Sequence, residues 1–434
     1  MKRILIATIV VTVLAAGALL GGVVRESHSA APALPVTHVQ ADSLRSELGS
    51  GDTVTLVRQL EQASRRRPDD ARVSALLGLG YAQRARESGD AAFYTRAEVS
   101  LKRALRRDLR NYEATLGLGS IALSRHRFEQ ALAHGREALA LAPTSAAPLG
   151  IIGDAQLELG RYPAAFATFD RLARIKPSVS AYARVAYSRE LIGDTAGAIE
   201  AMTLAVDSAG TGSGEPPAWS RTQLGNLYLP RRPRVAARIY RDALALRPGY
   251  APALLGLGAT EEAQGRLRAA LTLYRRSLLT VPSADAAVAI GDVLILLKRD
   301  AEAERAYARA HELEEAFEAN GGRNDLETAM LDLDRDRHLR DALVRARRGH
   351  AERPSIEGEH VLAWALYKNG RCAEARRHSV RHLRLGTPDA DGIYHRVLIE
   401  RCLGNEREAR RFLARLRSVE PGYLTAPPSA FRLS

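Results

Sequence analysis

Along most of the chain apolar residues recur at helical spacing, and glycine and proline interrupt them at regular intervals. The string Leu-Gly-Leu-Gly stands at 77–80, 116–119 and 255–258, each time inside an apolar helical pattern and followed by an alanine-rich amphipathic segment. A proline closes most units, at Pro68, Pro143, Pro177, Pro248, Pro282, Pro354 and Pro421. The step from Pro143 to Pro177, and from Pro248 to Pro282, is 34 residues. The pattern predicts a series of helix pairs, one supersecondary unit used many times.

In the unit starting at Ala251, Leu257, Gly258, Ala270, Tyr274 and Pro282 hold the recurring positions. In the unit starting at Ala146 they are held by Gly153, Ala165, Phe169 and Pro177. The preceding unit has Leu118, Gly119, Ala131, Ala138 and Pro143, with Gly135 where the others carry an aromatic. These units resemble tetratricopeptide repeats, whose helix-turn-helix pattern places small residues and aromatics at such positions. The resemblance implies an all-α, right-handed superhelical solenoid of about ten repeats over residues 52–422. Its inner wall, built from the first helix of each pair, is the expected binding surface. Departures are visible. The unit from Ala71 has extra residues around Gly89 to Arg96, which predict a longer turn before the second helix resumes at Ala97. Gly210 to Pro217 reads as a loop, Glu318 to Asp325 as an irregular joint, and Gly370 with Ala375 and Gly404 with Ala409 mark two final units.

Composition agrees with helix. Hydrophobic residues are 46% and charged residues 26%, enough apolar material for a continuous core and too much for a disordered chain. The net charge is +13, and all but five of the 63 basic residues are Arg. Two readings stand: Arg forks that bind anionic envelope polymers or lipid head groups, or a coding preference spread over solvated helix faces. No nucleic-acid partner is expected.

The N-terminus carries the most specific local signal outside the repeats. Lys2 and Arg3 precede an uncharged apolar run from Ile4 to Val24, followed by Arg25, Glu26 and a small-residue stretch. As a helix the run would be about 31 Å long, enough for a hydrocarbon core of about 30 Å. Residues 1–30 therefore read as a signal peptide or a transmembrane anchor, 31–51 as a linker and 423–434 as a tail. Lys2 and Arg3 would stay in the cytoplasm and the repeats would lie outside it, either anchored to the membrane by this segment or secreted.

No catalytic or cofactor signature emerges. The Gly-x-Gly strings lie within helices rather than after a strand, so they do not form a phosphate loop, and no cofactor or metal is expected. His378 and His382, four residues apart, have the spacing of a metal pair, but no third ligand is near in sequence and Arg376, Arg377 and Arg381 make the segment a solvated basic face. Cys372 and Cys402 fall in the last two units and approach the same edge of the stack. They form a disulfide, or are two free buried thiols.

A subset of the repeat family binds peptide carboxylates with Lys, Arg and Asn on the inner wall. Here the corresponding positions are Ala75 and Leu79, Leu116 and Ser120, Gly150 and Asp154, and Leu255 and Ala259. A wall this small and apolar suits an apolar peptide, or a tight coil that packs its own turns. Nearer the C-terminus His360, Trp364, Tyr367 and Tyr394 occupy wall positions, as a partner-binding cluster or as an aromatic cap. The chain is expected to be a non-enzymatic scaffold or adaptor at the cell envelope that binds protein or peptide partners.

Overall fold

The computed structural model describes residues 53–212 and 214–424. The apolar N-terminal segment, the linker and most of the proposed tail lie outside the described residues. Among those described, no helix is long and apolar enough to cross a membrane.

The described chain is all helix. A lone helix, α1 (Thr53–Arg66), precedes ten helix pairs. The pairs are α2 (Ala71–Ser88) with α3 (Ala92–Arg107), α4 (Tyr112–Ser124) with α5 (Phe128–Leu141), and α6 (Ala147–Glu158) with α7 (Tyr162–Ile175). Next come α8 (Val179–Leu191) with α9 (Thr195–Ala209), α10 (Glu215–Tyr228) with α11 (Pro233–Leu246), and α12 (Ala251–Ala263) with α13 (Leu267–Thr280). The series ends with α14 (Ala284–Leu296) and α15 (Asp300–Ala319), α16 (Asp325–Leu333) and α17 (Leu339–Glu352), α18 (Ile356–Lys368) and α19 (Cys372–His382), and α20 (Ala390–Cys402) and α21 (Glu406–Val419).

Local chemistry explains the boundaries. Asp70, Asn111, Ser178, Ser283 and Ser355 each accept a hydrogen bond from a backbone N–H of the first helical turn, satisfying a donor that has no partner within the helix. Within nine of the ten pairs, α10 with α11 being the exception, the chain reverses through a left-handed residue, glycine at Gly370 (φ 73°) and Gly404 (φ 74°). Several pairs then lock small against large. A methyl group at Gly225, Gly258 or Gly291 would overlap the ring of Tyr240, Tyr274 or Tyr307, respectively. Each of these tyrosines donates its hydroxyl back to the first helix of its own pair, to Asn226 (2.7 Å), Glu262 (2.8 Å) and Asp292 (2.9 Å). The phenol is thus packed at its ring and bonded at its tip.

Three local expectations need correction. The extra residues near Gly89 make no long turn: α2 continues to Ser88, stops where Gly89 becomes left-handed, and α3 begins at Ala92 rather than Ala97. The segment before Gly89 contains neither proline nor a helix-interrupting glycine, and Gln83 donates to Glu87 at 2.8 Å along it. The loop from Gly210 is shorter than expected, because Pro216 and Pro217 lie in the first turn of α10, where a missing N–H costs nothing. Tyr423, assigned to the tail, is buried against the last pair and donates its hydroxyl to Asp391.

The coil is tight enough for its second turn to rest on its first. The turn inside each of the first five pairs docks on the joint that follows the pair five places later. Gly89 lies against Pro282, and Arg127 donates to the Gly321 carbonyl at 2.9 Å while Arg323 donates its N–H to the Arg125 carbonyl at 3.0 Å. Tyr162 accepts from the N–H of Ile356 at 2.7 Å, Thr387 donates to the Leu191 carbonyl at 2.6 Å, and Arg231 donates to the carbonyls of Ser418 and Val419 at 3.2 and 3.3 Å. The irregular joint from Glu318 to Asp325 supplies one of these docking points, as the loop 320–324.

Candidate functional site

Tight coiling decides the fate of the apolar wall. Ala75, Leu79, Leu116, Ser120, Gly150 and Asp154 are buried in the chain's own packing, and Leu255 and Ala259 are half-buried. Leu79 packs onto Gly117 of the next first helix, so neighbouring first helices fill the space a peptide would need. Asp154 is held by Arg184, whose Nε and Nη2 donate to its two carboxylate oxygens at 2.8 and 2.6 Å with both side chains buried. A fork matched in this way satisfies both charges where water is excluded.

The C-terminal cluster is a buried histidine and aromatic stack with a partly open rim. His360 and Trp364 are 1% and 4% exposed, so the partner-contact role open to them in the sequence does not fit their burial. The Trp364 ring lies on the His395 ring at 3.6 Å with 2° between planes, and stacks on Tyr367 at 5.1 Å. Its indole N–H donates to Asp334 at 3.1 Å, and Lys368 sits 4.7 Å over its face. His360 Nε2 meets His395 Nδ1 at 2.9 Å. Tyr367 and Tyr394 are half-buried, and Tyr394 rests on the cap Tyr423 at 5.6 Å between ring centres. The four residues therefore split, two into the core and two to its rim.

His378 and His382 do not share one solvated face. His382 is buried, because α19 ends by turning its ring inward, where Nδ1 donates to the Ile356 carbonyl at 2.8 Å and Nε2 lies 2.9 Å from Asp389. His378 instead meets Glu359 at 2.6 Å, together with Arg381 at 2.7 Å and His350 at 3.3 Å. Burial alone would raise the Glu359 carboxyl, but these three partners hold it well below the usual carboxylate range. Burial and the neighbouring His382 press His360 down to about 4. Burial opposes charge on His382 too, but the Asp389 carboxylate outweighs it and raises its pKa.

Cys372, the first residue of α19, and Cys402, the last of α20, form a disulfide with a Cα separation of 6.2 Å. The bond joins the last two pairs at the edge away from the histidines. His350, Asp389 and His395 were not singled out from the sequence. A signal was there to read: five of the eleven histidines lie between His350 and His395.

Tetratricopeptide-repeat family models match residues 83–146, 231–278 and 261–319, and a second model of the same repeat matches 122–186. No curated protein matches the chain in sequence. Among solved structures, the chain is similar to a human IFIT1 dimer with PPP-AAAA over 94% of each chain, at 13% identity and a TM-score of 0.45. It is similar to the APC/C hetero-tetramer Cut9-Hcn1 over 90% of this chain and 96% of that one, at 13% identity and a TM-score of 0.39. MamA aligns with 38% of this chain and 95% of its own, at 23% identity and a TM-score of 0.30.

Proposed function

We propose that this array of tetratricopeptide repeats is a non-enzymatic scaffold that holds protein or peptide partners at the cell envelope, anchored by its N-terminal apolar segment or secreted. The observation that carries the reading is the rim formed by Tyr367 and Tyr394. Both side chains are half-buried, both rest on aromatic neighbours fixed in the core, and both belong to the first helices of successive pairs. Tyrosines held in one rotamer lose little entropy on contact and are enriched where binding energy concentrates.

Position outside the cytoplasm is supported by the disulfide, since such bonds persist in oxidising compartments, and by the run from Ile4 to Val24 behind Lys2 and Arg3. A reporter active only in the cytoplasm, fused after Ser434, should be silent; activity there rejects the location. The partner role is tested by recovering partners from envelope extract with the full chain and with Tyr367→Ala/Tyr394→Ala. The double variant should stay folded with only a modest fall in melting temperature and lose the partner. Equal recovery moves the site elsewhere, and recovery that collapses with moderate salt assigns binding to Arg and an anionic polymer instead.

A further inference from the structure

Three potential metal donors from three elements converge beneath the last two pairs. They are His360 of α18, His382 at the end of α19 and Asp389, which caps α20, and their ligand atoms all lie within 4.8 Å of one another. We propose that His360 Nδ1, His382 Nε2 and an Asp389 carboxylate oxygen bind a divalent transition-metal cation of the zinc type.

The tautomers point that way. The Nδ1–H of His382 is committed to the Ile356 carbonyl at 2.8 Å, the arrangement that fixes a ligating imidazole and turns Nε2 toward Asp389, where a metal would take the place of its proton. Nε2 lies 2.9 Å from Asp389 Oδ2, an ion-pair contact between two groups that both serve as metal ligands. His360 is 1% exposed, and its Nδ1 is buried without a hydrogen-bond partner, 3.9 Å from the same Asp389 oxygen. Its other nitrogen is taken by His395 at 2.9 Å. Two buried nitrogens thus face one carboxylate oxygen, and a shared cation satisfies all three.

Spacing and space agree. Donors around a tetrahedral ion with bonds of about 2.0–2.1 Å stand about 3.3 Å apart, between the two distances of 2.9 and 3.9 Å seen here. A small fanning of the His360 and His382 rings, now stacked at 4.6 Å, brings the nitrogens onto one point. The donors pack directly onto α20 because residue 392 is glycine. A methyl group there would overlap His382 Nε2 and sit 2.6 Å from Asp389 Oδ2. The neighbouring group of His350, Glu359 and His378 is a poorer candidate, since Arg381 already neutralises Glu359 at 2.7 Å. Two imidazoles and one carboxylate suit Zn2+ with water in the fourth position. The ion would pin α18, the end of α19 and the start of α20, on the opposite edge of these pairs from the disulfide.

The test uses the full chain, stripped with chelator and titrated with Zn2+ by calorimetry, with Co2+ as a spectroscopic stand-in. One ion should bind per chain with a tetrahedral Co2+ spectrum and a rise in melting temperature that scales with free metal. His382→Gln and Asp389→Asn should each weaken binding at least tenfold, while His378→Asn should leave it unchanged. Should the variants fail to fold, the imidazole nitrogen resonances of the parent still decide: Zn2+ should shift His360 Nδ1 and His382 Nε2 and leave His378 in place. No saturable binding, or binding lost with His378 rather than His382, overturns the proposal.

Discussion

Arg353, at the joint after α17, places its guanidinium 2.5 Å from the carboxylate of Glu158 in α6, 195 residues earlier in the chain. Both side chains are buried, and Arg353 reaches Glu327 as well, at 2.9 Å. One superhelical turn is thereby clamped to the next. Removing one partner leaves an uncompensated buried charge, so Arg353→Ala should cost about 3–5 kcal/mol. Chemical denaturation measures the loss. A double cycle with Glu158→Gln should recover part of it, and small-angle scattering should show a larger radius in the single variant.

Trp364→Ala should also be strongly destabilising, by about 3–5 kcal/mol, because it empties a packed aromatic site and leaves Asp334 and His395 without their partner. The contrast with Tyr367→Ala is informative, since the half-buried rim residue should lose much less. Equal thermal shifts in the two variants would contradict the division between core and rim.

Reduction of Cys372–Cys402 should destabilise the C-terminal pairs by roughly 3–4 kcal/mol, the loop-closure entropy for a bridge of this span, given a sequence separation of 30. Hydrogen exchange with and without reductant should place the loss of protection in α19 to α21 first.

Glu314 supplies a pH signature. It is half-buried near the joint 320–324, and Asn324 donates to it at 2.5 Å. Burial pushes its carboxyl up to about 7, with Glu327 and Glu318 adding to the shift and Asn324 opposing it. The unfolded carboxyl ionises near 4.3, so from there to about 7 the folded state holds the extra proton and this residue's contribution falls as pH rises. Glu314→Gln, which keeps an acceptor for Asn324, should therefore match the parent at pH 4 and exceed it in stability at pH 8. A constant difference across that range would refute the assignment.

The helix pairs were legible because the glycines that receive aromatic rings, the capping side chains and the closing prolines act within one repeat. Gly258 with Tyr274 is a relationship between neighbours 16 residues apart, and period alone reveals it. The contacts between superhelical turns have no such signature. Arg353 and Glu158, or Tyr162 and Ile356, depend on the summed rotation of five successive pairs, and no local pattern encodes that sum. The C-terminal cluster failed differently. The wall position of Trp364 follows from its place in the helix, but His395 from the next pair covers it, and Asp389 enters the histidine group through a capping role. The spacing of His378 and His382 suggested a shared face, whereas the end of α19 turns the second ring into the core.

The docking of each early turn on the joint five pairs later has a consequence for how such a chain can change length. Arrays of this kind ordinarily gain or lose a unit at little cost, since each unit meets only its neighbours. Here an added or deleted pair between α11 and α17 would throw Arg353 out of step with Glu158, Thr387 with Leu191 and Arg231 with Val419 all at once. Growth by duplication is therefore confined to the two ends, and the number of pairs in the middle is locked much as the tooth count of meshed gears is locked.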